Sequence, residues 1–273
     1  MYKVLIDDDE VEFDLTGEEP KFGPDEVLAS REMDILGKTS WYQEGYTVAR
    51  LFSDEEMGRL KRSVTARVGG VLAAKGIADL GDFTLERYHE YVRSDAMHRS
   101  VIEVTRELTM ADIDFEFEAF VRRVSETIGH PLKSTNDILR RSFLIVRINR
   151  PRSLDYNPPH KDGYLPLWQR TVNLWVPIAG VNAHSSLPMV AGSHLLSESV
   201  IKRTTGGAVL NGMPYRVPAI VEWDGHRKMV RPTVKEGEAL VFSPLIIHGC
   251  AKNLQSDVTR VALELRLSSA VAA

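Results

Sequence analysis

From Ser53 onward, apolar residues recur three and four positions apart at Met57, Leu60, Val64, Val68 and Val71, with Ser53 placed to cap and Glu56 three residues on. That spacing predicts an amphipathic helix. The same period returns over roughly 85–92, 96–108 and 113–128, the last carrying Ile113, Phe117, Phe120, Val121, Val124 and Ile128 on one stripe before Gly129 and Pro131 stop it. Such stripes are core-packing surfaces rather than cofactor surfaces. After about Leu139 the period drops to two and glycine or proline interrupts every several residues, which predicts short antiparallel strands at 142–149, 171–177, 228–234, 239–242, 245–250 and 258–267. Helices first and strands second, without alternating units, predict an α+β layout in which helices brace one side of a sandwich or barrel. Residues 1–40 read as a short strand-like opening followed by acidic residues and turns, an extended arm with little function, 41–138 as mainly helical support and 139–268 as the β core.

Composition narrows the function classes. Apolar residues make up 43% of the 273 and charged residues 26%, enough for a sizeable core and against disorder of the whole chain. At about 150 residues per domain this length predicts fewer than two domains. The formal net charge of −4 gives no general attraction for phosphate backbones, so nucleic acid is not an expected partner. Apolar runs such as 143–146 and 239–242 are too short to cross a bilayer, so no membrane partner is expected either. The opening is acidic (Asp7, Asp8, Asp9, Glu10) and lacks the basic-then-apolar pattern of a secretion signal; the cluster reads as a solvated charge run, since no spaced oxygen-ligand loop surrounds it. With one cysteine, Cys250, no internal disulfide is expected, and a reducing cytoplasm is the expected location.

The chemistry concentrates in Pro158-Pro159-His160-Lys161-Asp162-Gly163-Tyr164, where an imidazole and a carboxylate two apart on an extended chain project from one face. Taken alone, a His-x-Asp triplet is common. His248, in Leu245-Ile246-Ile247-His248-Gly249, offers a third ligand, although a lone imidazole in an apolar strand also reads as a satisfied core histidine. Together His160, Asp162 and His248 make the two-histidine, one-carboxylate set that holds Fe(II) on one face and leaves positions open. The ion then keeps a net charge of +1, on which an oxo-acid dianion can still bind. Downstream, Val261, Leu263, Leu265 and Leu267 alternate with Arg260, Ala262, Glu264 and Arg266. A solvent-facing charged row explains this as well as a functional one does. In the functional reading, Arg260, 12 residues past His248, grips a carboxylate whose other end chelates the metal.

At this point the sequence resembles the phytanoyl-CoA dioxygenase-like family of Fe(II)- and 2-oxoglutarate-dependent oxygenases. The resemblance runs through Glu44-Gly45-Tyr46-Thr47-Val48, the helix after Ser53, His160-Lys161-Asp162, the Leu187 to His194 stretch, Glu236 to Phe242, His248-Gly249, Asn253 and Arg260. It implies a single oxygenase domain over 1–273, built on a double-stranded β-helix (a jelly roll, cupin-like) buttressed by N-terminal helices. It also implies His160, Asp162 and His248 as iron ligands and Arg260 as the partner of the far carboxylate of 2-oxoglutarate. Where the family often has Ser, this chain has Cys250, a weaker hydrogen-bonding group near the cosubstrate, which Thr171 is placed to compensate. Asp162 stands where a halogenating subgroup has a small residue, which favours hydroxylation or another oxidation over halogenation.

Arg147 and Asn149 share a strand face with Phe143 and Ile145, and Asn173 shares one with Thr171 and Trp175, so Arg147, Asn149, Asn173 and Trp175 are candidate substrate contacts. His194 is expected to shape a turn beside the site; His89, His98, His130, His184 and His226 lack a partner pattern and are expected in solvent. The glycine- and proline-rich stretch 195–228 reads as a long loop that closes over substrate. The expected activity is oxidation of a small molecule by dioxygen, with a natural-product intermediate as the candidate substrate and succinate and CO2 released. The rivals are a non-oxidative metal-dependent isomerase or lyase on a similar barrel, and a binding protein without turnover. Oligomeric state is left open by the sequence.

Overall fold

A computed structural model describes residues 1–30, 34–153, 155–210 and 212–271. Arg31, Glu32 and Met33 of the arm and Asn211 of the 195–228 stretch lie outside the described residues.

The first long helix, α1 (Asp54–Ala74), begins as the sequence predicts. Ser53 Oγ accepts from Glu56 N at 3.2 Å and Glu56 Oε2 accepts from Ser53 N at 2.8 Å, so two otherwise orphaned donors are satisfied reciprocally. The 85–92 pattern divides into a 3-10 turn, Leu85–Arg87, and the short helix α2 (Tyr88–Tyr91). Helix α3 (Asp95–Thr105) is capped by Ser94. Helix α4 (Phe117–Ile128) ends on Gly129, whose φ of 66° is the left-handed conformation that glycine adopts without steric cost. It starts four residues later than the stripe suggests, because Met110–Asp112 form a separate 3-10 turn and Ile113 reaches the core from extended backbone.

These helices cover one face of a seven-stranded antiparallel sheet. Its order is Tyr46–Arg50, Glu238–Phe242, Thr171–Ala179, Arg260–Ser269, Arg141–Asn149 and Thr135–Asn136, with Leu132–Lys133 paired to the far end of Arg260–Ser269. Strand alternation sorts the side chains. Leu144, Val146, Ile148, Val172, Leu174, Val176, Val261, Leu263, Leu265 and Leu267 face the helices and join their stripes in one apolar cluster. Register puts the other residues of the same strands on the opposite face: Arg260 opposite Asn149, Ala262 opposite Arg147, Glu264 opposite Trp175 and Arg266 opposite Asn173.

That second face is covered too. It looks into a barrel closed by small ladders: Ile201–Arg203 between Lys21–Phe22 and Ile220–Trp223, Ala208–Leu210 between Leu15–Thr16 and Met213–Tyr215, and Met189–Val190 against Ile247–His248. The result is a double-stranded β-helix with helices on one side. Trp175, Leu187, Met189, Leu240, Phe242 and Ile246 fill part of its interior. The Arg260, Glu264, Arg266 row is therefore interior, not a solvent row; Arg260 is 2% and Arg266 7% exposed.

Several expectations are corrected here. The 228–234 run forms strand only over Lys228–Met229, and 245–250 only over Ile247–His248, after which positive φ at Gly249 and Cys250 turns the chain away. The 195–228 stretch holds four short strands and so is largely part of the small face of the barrel. The arm is built in as well: Tyr2–Ile6 pairs with Asp9–Phe13 and with Lys228–Met229, burying Val4, Ile6, Val11 and Phe13 against Ile201, Trp223 and Ile247. Among the described residues no helix is long and apolar enough to cross a membrane.

Candidate active site

His160 and His248 sit opposite each other across a narrow antiparallel bridge, with His160 N donating to His248 O at 2.9 Å and His248 N to His160 O at 3.0 Å. Two residues far apart in sequence are thus locked side by side by backbone alone. Their ring centroids are 4.4 Å apart. Each ring is oriented by its Nδ1, which lies 2.7 Å from Pro158 O for His160 and 3.0 Å from Ile246 O for His248. A carbonyl can only accept, so Nδ1 carries the proton in both rings and each Nε2 presents a lone pair.

Asp162 completes the set. Its Oδ1 is 3.5 Å from His160 Nε2 and its Oδ2 3.6 Å from His248 Nε2, and one donor atom from each of the three residues lies within 4.8 Å of the others. All three side chains are buried. Two imidazoles and a carboxylate with no apolar reason to be buried together are a donor set suited to a divalent ion. Burial lowers the His248 pKa to about 4, helped by His160, so the ring stays neutral. Burial alone would raise that of Asp162, but the Arg266 guanidinium beside it holds it well below the usual carboxylate range.

Arg266 is the functional neighbour that sequence reasoning missed. Its Nε and Nη2 donate to Asp162 Oδ2 at 3.0 and 2.7 Å, and Asn173 Nδ2 donates to the same oxygen at 2.7 Å. The guanidinium lies between the rings of Phe143, at 4.2 Å, and Trp168, at 4.5 Å. Three donors thus occupy one carboxylate oxygen and leave Oδ1 toward His160. Only barrel closure distinguishes Arg266 from an exposed arginine; the available signal was its sharing a strand face with Arg260. Behind the ligand segment, Lys161 turns the other way and pairs with buried Glu198 at 2.9 Å, which also accepts from Tyr164 and Arg203, tying His160 and Asp162 to the 195–228 segment.

Arg260, His160 and His248 line one small space together with Arg147, Asn149 and Glu264. Arg260 Nη2 donates to Ala251 O at 3.0 Å, while its Nε has no partner and its guanidinium lies 5.7 Å from the Trp175 ring. Burial pushes its pKa down to about 9, since Glu264 offsets only part of the cost of an unpaired buried cation. Glu264 is committed to Arg147 at 2.8 Å. Among the described residues, Arg147 Nε, Asn173 Oδ1, Trp175 Nε1 and Arg260 Nε are buried polar atoms left without a hydrogen bond, and all four belong to strands facing the barrel interior. Such orphans call for a ligand. A dicarboxylate fits them, because three of the four are donors.

Two candidates point elsewhere. Thr171 donates its hydroxyl to Trp168 O at 2.7 Å, at the end of its strand away from Arg260. Cys250 packs its side chain in the apolar cluster with Ile247 and Trp223, where burial pushes the thiol up to about 12. Asn149 donates to Asp155 O while lining the same space as Arg260. His194 is buried beside Tyr42, with ring centroids 5.1 Å apart, next to the turn at Gly45. His98, expected in solvent, is also buried: it falls three residues before Val101 on the inward stripe of α3 and meets Tyr88 OH at 3.1 Å.

The family model for phytanoyl-CoA dioxygenase (PhyH) matches residues 41–262. No curated protein matches the chain. Among solved structures it is similar to a non-heme monooxygenase, ThoJ in its apo form, with 14% identity over 86% of this chain and 77% of that one and a TM-score of 0.51. It is also similar to EctD from S. alaskensis, solved with 2-oxoglutarate and 5-hydroxyectoine, with 16% identity, 93% and 83% coverage and a TM-score of 0.47. The epimerase SnoN, solved with Fe3+, alpha ketoglutarate and nogalamycin RO, gives 16%, 84% and 81%, and 0.47. At such identities the structural likeness speaks to fold, while the family match spans most of the sequence. The chain belongs to the phytanoyl-CoA dioxygenase family and is a non-haem iron, 2-oxoglutarate-dependent oxygenase.

Proposed function

We propose that this oxygenase hydroxylates a small molecule, with His160, Asp162 and His248 as the iron ligands and Arg260 as the partner of the far carboxylate of 2-oxoglutarate. The observation that carries the reading is the convergence of two fixed Nε2 atoms and one carboxylate oxygen within 4.8 Å, beside a buried, unpaired Arg260. Bound Fe(II) and 2-oxoglutarate supply the oxidising chemistry: dioxygen is consumed, the oxo-acid becomes succinate and CO2, and one oxygen atom goes to the substrate.

The protein's own part is charge, placement and dryness. On the interior face Arg147, Arg260 and Arg266 oppose Asp162 and Glu264, an excess of one positive charge. A divalent ion raises that excess to three and a dianionic oxo-acid returns it to one, so metal and cosubstrate together leave the buried site no more charged than before. Arg147 and Arg266 are neutralised by their own carboxylates, which leaves Arg260 as the cation free to take the cosubstrate. Trp175 Nε1 adds an unused donor from the neighbouring strand. The space beside the two histidines is about 40 Å³, so bulk water has little room there.

Arg147, Asn149, Asn173 and Trp175 are assigned to the wall around the reacting centre, with Asn173 acting through Asp162. Oxygen uptake matched one-to-one by succinate release, dependent on Fe(II), tests the proposal. A reaction on the same substrate without oxygen uptake would favour the isomerase or lyase, and absence of any turnover the binding protein.

A further inference from the structure

Beyond the inner space lies a cleft of about 650 Å³ that shares Arg147, Asn149, Asp155, Tyr156 and Asn157 with it, so the two are continuous. A hollow of similar size, about 630 Å³, lies over α1 and touches none of the ligand residues. The cleft beside the triad has one wall from α3 and another from the Arg141–Asn149 strand, with Met213 and Tyr215 as a rim.

Helical spacing makes the α3 wall. Asp95, Arg99, Ile102, Glu103 and Arg106 line the cleft with the buried His98 beneath them, while Val101 and Thr105 face inward. The charges there are unevenly used. Arg150 satisfies Asp95 and Asp155 at 2.6 and 2.9 Å, and Arg147 holds Glu264. The side chains of Arg99, Arg106 and Arg152 have no hydrogen bond or ion pair among the described residues, against one unpaired acid, Glu103. Five arginines line this cleft with three acids, on a chain whose net charge is −4. Arg106 keeps solvent contact at the cleft wall; partial burial and nearby Arg147 lower its pKa, while Tyr215 and Glu103 offset part of that. Arginine side chains without ion partners, lining a cleft beside a further arginine, suit an anionic group.

We infer that the substrate carries an anionic group, a carboxylate or a phosphate, which Arg106 holds with Arg99 in this cleft while the target carbon reaches past Arg147 and Asn149 toward the triad. Ile102, Ile145 and Met213 give the cleft an apolar part of its lining, so the body of the substrate is apolar. The inference rests on the triad being the reacting centre. It concerns substrate class and adds no step to the reaction.

The test uses the full chain loaded with Ni(II) and saturating 2-oxoglutarate, which occupies the Arg260 site and does not turn over. Hexanoate, hexyl phosphate and 1-hexanol are titrated separately by calorimetry. One of the two anions is expected to bind at least tenfold more tightly than hexanol and to weaken with salt, and the tighter one tells carboxylate from phosphate. Arg106→Gln is expected to cut that anion's affinity at least tenfold, leaving hexanol and 2-oxoglutarate affinities unchanged. Equal binding of hexanol and the anions, no binding of any probe, or an unchanged anion affinity in Arg106→Gln overturns the inference. Failure of Ni(II) and 2-oxoglutarate to bind in the first step would instead count against the triad assignment, and the anion titration still reads the cleft.

Discussion

Replacing Arg266 with Met keeps an unbranched side chain between Phe143 and Trp168 but strips two charge-assisted hydrogen bonds, at 3.0 and 2.7 Å, from Asp162. Asp162 is 3% exposed and keeps only the neutral donor of Asn173. Removing one partner of a buried ion pair costs about 3–5 kcal/mol, because the other charge stays buried without compensation. At roughly 2–4 °C per kcal/mol for a chain of this size class, the metal-free variant should melt about 6–20 °C below wild type. A divalent ion replaces the lost positive charge, so saturating Mn(II) should raise the melting temperature of the variant by more than it raises that of wild type. The sign with pH follows from Asp162. Its folded-state pKa is depressed, so the stability it contributes is present above its unfolded value of about 3.9 and is lost as pH falls through the folded one. The deficit of the variant should therefore be full at neutral pH and shrink on acidification. Arg266→Lys, which keeps the charge, should lose less. The assay is differential scanning calorimetry with and without Mn(II). A metal-free melting temperature for Arg266→Met within about 2 °C of wild type, or an equal Mn(II) shift in both proteins, would refute the reasoning.

Arg260→Ala should weaken 2-oxoglutarate binding by about 1.5–3 kcal/mol, roughly 10- to 150-fold, with metal affinity unchanged in calorimetric titration; loss of metal affinity instead would contradict the role given to Arg260. Gly249 has φ of +126°, and a Cβ there would collide with Pro158 O and lie 3.1 Å from His160 Nδ1. Gly249→Ala should therefore tilt the ring that Pro158 orients and lower metal affinity about 10- to 100-fold, the range for loss of an outer-shell partner; unchanged affinity would show the ring to be held another way. His98, His194 and His248 are held neutral by burial with pKa values of about 4, so the unfolded state takes up protons first as pH falls from about 6.5. At pH 5 each imidazole should cost up to roughly 2 kcal/mol of stability relative to pH 7.5, read as a falling denaturant midpoint, and a flat midpoint over that range would contradict their burial.

What the sequence disclosed followed from how local each signal was. Met57 to Val71 and Phe117 to Ile128 carry their own period, and both helices form on those residues. The long central strands, Arg141–Asn149, Thr171–Ala179 and Arg260–Ser269, alternate along nine or ten residues and were legible almost to their ends. The small ladders were not, because pieces of two to four residues such as Lys21–Phe22 and Ile201–Arg203 have no period of their own and exist by pairing across the chain. The N-terminal arm was misjudged for the same reason: Val4 and Phe13 look like scattered apolar residues until Trp223 and Ile201 pack on them. In the site, residue type and order identified His160, Asp162 and His248, and the structure brings them together. Arg266 and the cleft face of α3 depend on which side of a strand or helix the barrel encloses. That is a property of closure, which the Arg260, Glu264, Arg266 alternation by itself left compatible with solvent.

Anaerobic addition of Fe(II) and then 2-oxoglutarate, followed by visible absorption, probes the shared centre most directly. A metal-to-ligand charge-transfer band saturating at one iron and one 2-oxoglutarate per chain is expected for the wild-type protein, together with its loss in Asp162→Ala and His248→Ala. Absence of the band in wild type, or its survival at full intensity in both variants, would mean that His160, Asp162 and His248 do not hold the iron.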